Sequence, residues 1–84
     1  MATKRAAKKV PDEARPSTPS EEVATAIMAR YRDLAPSVNR IMHARLTEEG
    51  RFRAITLFEQ SLDRPEDPMR DPAGAIAAGL AFES

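Results

Sequence analysis

The sequence predicts an all-α fold, a small bundle of three helices plus a weak C-terminal helix, preceded by a disordered basic arm. Helix-capping residues stand ahead of apolar residues that recur at helical spacing. The 84 residues are rich in Ala and Arg, and no segment alternates polar and apolar residues as a half-buried strand does. Both observations favour helices over a sheet.

The arm is predicted over residues 1–17, which have no apolar periodicity and are interrupted by Pro11 and Pro16. Residues 1–16 hold five basic against two acidic side chains, a net charge of +3. The clustered cations are Lys4, Arg5, Lys8 and Lys9. Such a cluster serves either as a solubilising tail or as an electrostatic contact with phosphates or an acidic partner.

The helical core is predicted over residues 18–63, and it begins with the strongest local signal in the sequence. Thr18 is a capping residue, Pro19 suits the first helical position, and Glu21 stands where a capping-box carboxylate belongs. We expect helix 1 to run from about Pro19 to Leu34. Its apolar stripe is Val23, Ile27, Tyr31 and Leu34, with Met28 at the edge.

A second helix is expected from about Val38 to Glu49. Pro36 disfavours continuation of helix 1, and Ser37 is a suitable cap for the next helix. Gly50 fits a left-handed position after its C-terminus. The apolar stripe of this helix is Val38, Ile41, Met42 and Leu46. Because the apolar residues stay in helical phase across Pro36, one kinked helix is the alternative to two separate helices.

The third helix is expected over about residues 51–62. Its apolar side consists of Phe52, Ile55, Phe58 and Leu62. Residues 64–71 read as an acidic, Pro-rich linker, and residues 72–84 as a short C-terminal helix rich in Ala and Gly. Gly74 and Gly79 each weaken that helix by about 1 kcal/mol relative to Ala. The C-terminal helix therefore needs another element to pack on.

Composition argues against several kinds of chemistry. The absence of Cys excludes disulfides, zinc–thiolate sites and Cys nucleophiles, and the single histidine, His43, excludes a His-rich metal site. The three glycines form no phosphate-binding loop. We therefore predict a protein that is not an enzyme and takes no metal or cofactor. Since no apolar run reaches the roughly 20 residues of a membrane span, we expect a cytoplasmic protein.

Four residues suggest a binding surface: Arg45, Leu57, Met28 and Met42. Arg45 falls inside the apolar stripe of the second predicted helix, and Leu57 lies outside that of the third. Methionines are adaptable apolar residues common at interfaces. Residues 20–64 hold only 14 large apolar side chains. We predict a non-catalytic accessory or regulatory module that forms a homo-oligomer or binds a larger protein. The alternative is an irregular core in which the C-terminal segment covers Leu57.

A second hypothesis concerns the segment from Ser37 to Phe52. A Ser-capped helix with Val, Arg and Leu at this spacing, ending in acidic residues and Gly, resembles the recognition helix of bacterial winged-helix regulators, which leads into a strand. The resemblance implies a small DNA-binding transcriptional regulator that uses helix 38–49 and the basic arm. The residues that it implies in the major groove are Ser37, Asn39, Arg40 and His43.

Overall fold

The computed structural model describes residues 17–84, and this part of the chain is all-helical, as predicted. It contains no strand. The four α-helices are α1 (Pro19–Arg30), α2 (Ala35–Met42), α3 (Glu48–Ser61) and α4 (Pro72–Glu83). Short 3₁₀ helices cover Arg32–Leu34 and Pro68–Arg70. The predicted basic arm, with its four clustered cations, lies outside the described residues apart from Ser17.

The predicted capping box at the start of α1 is confirmed. The Glu21 backbone N–H donates to Thr18 Oγ1 over 3.2 Å, and the Thr18 backbone N–H donates to Glu21 Oε1 over 3.2 Å. Pro19 occupies the first helical position, where its missing N–H leaves no hydrogen bond unmade. Residues only three positions apart therefore define this helix N-terminus.

The end of α1 differs from the prediction, because the helix stops at Arg30 and not at Leu34. Tyr31 leaves the helical conformation and a 3₁₀ turn follows, so α1 and α2 are separate helices and the single kinked helix is wrong. Pro36 lies in the first turn of α2, where proline is tolerated. Ser37 is consequently inside α2, half-buried, and does not cap it.

The predicted second helix, Val38 to Glu49, is also too long, because α2 ends at Met42. Gly50 does not terminate it in a left-handed conformation: it is in the first turn of α3, and no glycine among residues 17–84 has a positive φ. Thr47 caps α3 by accepting from the Gly50 backbone N–H over 3.1 Å. Acidic residues at positions 48 and 49 then favour a helix N-terminus, because they interact with its positive dipole end.

The core surrounds α3. Five large side chains have at most 1% of their surface exposed: Ile27, Val38, Ile41, Ile55 and Phe58. The predicted apolar stripes of all three helices supply these residues, with Val38 and Ile41 coming from the second, and Leu62 of the third stripe is also buried. Phe52 is the exception, since it was expected on the apolar side of the third helix and is exposed.

The C-terminal helix packs on α3, and its glycines make this packing close. A β-carbon at Gly79 would lie 2.7 Å from the Gly50 carbonyl oxygen and 3.2 Å from the Ala54 Cβ. Ala75 is fully buried and belongs to the same core cluster as Phe58. The glycines that weaken α4 as an isolated helix thus allow its backbone to approach α3.

Candidate functional site

An apolar groove opens where the first turns of α1 and α3 meet the C-terminal end of α4. It has a volume of about 480 Å³. The residues that line it are Pro19, Glu48, Glu49, Phe52, Arg53, Thr56 and Phe82. We refer to these seven residues as the α3–α4 groove.

Two aromatic side chains give the α3–α4 groove its character. Phe52 is 40% exposed and Phe82 is 55% exposed, although apolar side chains of this size contribute most when they are removed from water. The Arg53 guanidinium carbon lies 6.0 Å from the centroid of the Phe82 ring, within the range of a cation–π interaction. The groove therefore combines exposed aromatic surface with a cation held beside it.

One carboxylate, that of Glu48, holds α1 against α3 at the groove. Glu48 accepts the backbone N–H of Ser20 over 3.0 Å and its hydroxyl over 2.7 Å, and Ser20 is fully buried. Glu48 also lies 3.5 Å from the Arg51 guanidinium. Burial raises the pKa of Glu48, but the hydrogen bonds from Ser20 and the charge of Arg51 outweigh it, so that its pKa lies below the ordinary value. Glu48 therefore stays ionised and joins two helix N-termini.

A second carboxylate, that of Glu83, holds α4 against the start of α3. Glu83 accepts the backbone N–H of Thr47 over 2.6 Å and the Thr47 hydroxyl over 3.0 Å. This contact joins the last residue of α4 to the N-cap of α3. Phe82, the neighbour of Glu83, is thereby held at the edge of the groove.

The predicted partner-binding residues lie elsewhere. Arg45 is exposed in the loop between α2 and α3, so its predicted position inside a helical stripe is wrong, because α2 ends at Met42. Leu57 is half-buried. It lies in helical register with Ala54 and Ser61, both buried, on the side of α3 that faces α4. Met28 and Met42 are half-buried against the core. None of the four lines the α3–α4 groove.

The residues implied by the winged-helix resemblance are only partly together. Asn39, Arg40 and His43 are exposed on or beside α2, whereas Ser37 is half-buried within it. The His43 ring nitrogen Nδ1 lies 2.9 Å from the Asn39 carbonyl oxygen, at the C-terminus of α2. The strand that this family places after Gly50 is absent from the described residues, because α3 occupies that segment. The segment after Gly50 therefore departs from the pattern of this family.

Sequence reasoning missed the groove for identifiable reasons. The spacing of Phe52 from Ile55 predicts that it lies on the buried side of the helix, but spacing does not show where a buried face ends. The sequence predicts Glu49 at the end of the second helix, whereas Glu48 and Glu49 lie in the first turn of α3, where Glu48 accepts from Ser20 and Glu49 is exposed. The available signal was Thr47 followed by two glutamates, which is typical of a helix N-terminus.

Within residues 17–84, no helix has the length and apolar character needed to cross a membrane. In the same range, no three acidic or histidine side chains come together as a metal-binding group. Comparisons of the chain with protein-family models, with curated proteins and with solved structures found no match.

Proposed function

We propose that this protein is a non-catalytic accessory or regulatory module that acts by association, with itself or with a larger protein, through the α3–α4 groove. The observation that carries the proposal is the exposure of Phe52 and Phe82, which both line one groove. Aromatic side chains dominate the energetics of protein interfaces, most of all when they cluster in a pocket that a partner can seal from water.

The rigidity of the groove walls supports the same conclusion. Ser20 and Glu48 hold α1 to α3, and Thr47 and Glu83 hold α3 to α4. A surface that is already ordered loses little conformational entropy when a partner binds. The polar groups of these walls are also hydrogen-bonded within the chain, so that covering them leaves few unpaired donors.

Site-specific photo-crosslinking tests this function. A benzophenone amino acid replaces Phe52 in the full-length protein, and irradiation is carried out in the cells that make it. We expect adducts of defined mass, either with a second copy or with another protein, because the ring lies in the contact surface. The matched control carries the same group at Leu80, which is 51% exposed and does not line the groove. Equal labelling at both positions, or no adduct at Phe52, would contradict the proposal.

A second candidate function is nucleic-acid binding by the outer face of α2. The exposure of Asn39, Arg40 and His43 on one side of this helix favours it, with Arg45 exposed in the loop that follows. Arg40→Ala should then weaken binding to its preferred duplex by about 1–3 kcal/mol, if the guanidinium contacts a guanine. Fluorescence anisotropy over a salt series measures this. Absence of binding by the wild type at low salt removes this candidate and leaves the first.

A further inference from the structure

The exposed face of α3 has a pattern that suits a second copy of the same chain. Glu49, Phe52, Arg53 and Thr56 are spaced by three, four and seven residues, so they form one stripe along the helix. The first three are exposed and Thr56 is half-buried. All four line the α3–α4 groove. The stripe therefore carries an acid near one end, an aromatic ring with a cation in the middle, and a small residue at the other end.

We propose that the α3–α4 groove binds a second copy of this chain, in a two-fold dimer whose α3 helices run antiparallel. This proposal rests on the proposed function and names its partner. In a two-fold interface the same patch meets itself, so that if residue i contacts residue j, then residue j contacts residue i. An axis passing near Phe52 sets Glu49 of each copy opposite Arg53 of the other.

The charges on the stripe are arranged for this pairing. Glu49 and Arg53 lie four residues apart, on either side of the position through which the axis passes. Antiparallel helices then bring opposite charges together twice, whereas parallel helices in the same register set like charges side by side. Complementary pairs at the edge of an interface fix its orientation and register. Two Phe52 rings near the axis supply the apolar centre, and the Phe82 rings extend it.

The remaining polar groups of the stripe are compatible with burial. The Thr56 hydroxyl donates to the Phe52 carbonyl oxygen over 2.5 Å, so it needs no partner from the second copy. Glu48 already accepts from Ser20, which leaves Glu49 and Arg53 as the charges free to pair across the axis. Burying an unpaired charge is expensive, and this arrangement leaves none among the groove residues.

The charge of the whole chain favours a second copy over a strongly charged partner. The sequence has 13 basic and 13 acidic residues, a net charge of zero, so two copies approach without long-range repulsion. The groove itself offers neither a cluster of cations for a polyanion nor an uninterrupted acidic patch for a polycation. The charges that it does offer, Glu49 and Arg53, are complementary to those of a second copy of the same groove.

Sedimentation equilibrium of the full-length protein tests the dimer. We expect the wild type to dimerise and Phe52→Ser to raise the dissociation constant at least tenfold. The control is Leu80→Ser, which removes an apolar side chain that is more exposed than Phe52 and does not line the groove, and which should leave the dissociation constant unchanged. Circular dichroism checks that both variants keep their helical content, which is expected because both side chains are exposed.

Charge exchange tests the antiparallel arrangement. Glu49→Arg and Arg53→Glu should each weaken self-association, because each sets like charges face to face across the axis. An equimolar mixture of the two variants should form a heterodimer as tightly as the wild type, because both pairs across the axis are then opposite in sign. Neither variant retains an opposite-charge pair within its own helix at these positions, so recovery in the mixture reports the contact between copies. Failure of the mixture to recover would overturn the arrangement.

The outcomes separate this proposal from the function on which it rests. A wild type that remains a monomer at about 1 mM would show that a second copy does not occupy the groove. If a photo-crosslinker at Phe52 still forms an adduct with a different protein, the interaction module stands and only its partner changes. If no adduct forms either, both proposals are wrong.

Discussion

The N-termini of α1 and α3 are built from the same chemistry, but the residues come from different distances along the chain. In α1, Thr18 caps the helix and Glu21 accepts the Thr18 backbone N–H. In α3, Thr47 caps the helix in the same way, but Glu83 accepts the Thr47 backbone N–H from 36 residues away. A local carboxylate completes the first cap, and a distant one completes the second.

Gly50 explains the difference. It occupies the third position of α3, where α1 has Glu21, and it has no side chain to reach back to the cap. A β-carbon at Gly50 would overlap the Glu83 side chain, so that the missing side chain also makes room for the distant carboxylate. The capping box of α1 is therefore encoded locally, although Glu48 also bonds the first turn of this helix, whereas the cap of α3 depends on the docking of α4.

The largest expected effect comes from Phe58, on which both regions depend. Phe58 is fully buried in the core that joins the helices. Phe58→Ala should lower the free energy of unfolding by about 3–5 kcal/mol, since it removes a large ring and leaves a cavity. Urea unfolding followed by circular dichroism measures the change. An unchanged midpoint would show that α1 and α3 do not share this core, and the comparison between their N-termini would lose its structural basis.

Gly79→Ala should affect the start of α3 and spare that of α1. At an open helical position the substitution would stabilise α4 by about 1 kcal/mol. Here the added methyl group would lie 2.7 Å from the Gly50 carbonyl oxygen, so that α4 must move away from α3. We expect a net destabilisation of about 1–3 kcal/mol. Hydrogen exchange should rise at the Thr47 and Gly50 amides and stay constant at Glu21. If Gly79→Ala instead stabilised the protein, α4 would not be packed tightly against α3 at this position, and the prediction would be wrong.

The same contrast explains how much of the molecule could be predicted from sequence. The capping box of α1, the buried Ile55 and Phe58 and the need of α4 for a packing partner follow from spacing and composition. The boundary between α2 and α3, at residues 43–47, does not follow from spacing and composition. Gly50 taken alone is typical of a helix terminator, whereas its place in the first turn of α3 depends on its contacts with Gly79 and Glu83. The groove was missed for a related reason: Phe52 lies where residues of α1, α3 and α4 come together, and no local pattern in the sequence records that arrangement.

A double-mutant cycle measures the distant cap directly. Thr47→Ala should lower the free energy of unfolding by about 1–2 kcal/mol, and Thr18→Ala by about 1 kcal/mol, since each removes a capping oxygen. Combined with Glu83→Ala, the Thr47 variant should be non-additive by at least about 0.5 kcal/mol, because the two side chains share a hydrogen bond. The Thr18 variant should be additive with Glu83→Ala. Additivity in both cycles would show that Glu83 does not support the start of α3.

The smallest expected effect is a pH dependence at Glu48, the carboxylate that joins the two N-termini. Its pKa in the folded chain is lowered, so its ionised form favours folding above the ordinary carboxyl pKa, and this contribution disappears as the pH falls through the lowered value. Because about a third of the side chain is exposed, we expect Glu48→Gln to cost only about 0.5–1 kcal/mol near neutral pH.

The difference in unfolding free energy between wild type and Glu48→Gln isolates this residue from the other carboxylates. It should be constant near neutral pH and shrink in acid, because a protonated Glu48 and a glutamine carry the same charge. Ser20→Ala removes one of the two hydrogen bonds that Ser20 donates to Glu48 but keeps the backbone N–H, so a carboxyl NMR titration should show the pKa of Glu48 raised part of the way toward its ordinary value. A difference that does not change with pH would mean that Glu48 acts through its shape alone. The link between α1 and α3 would then not depend on charge.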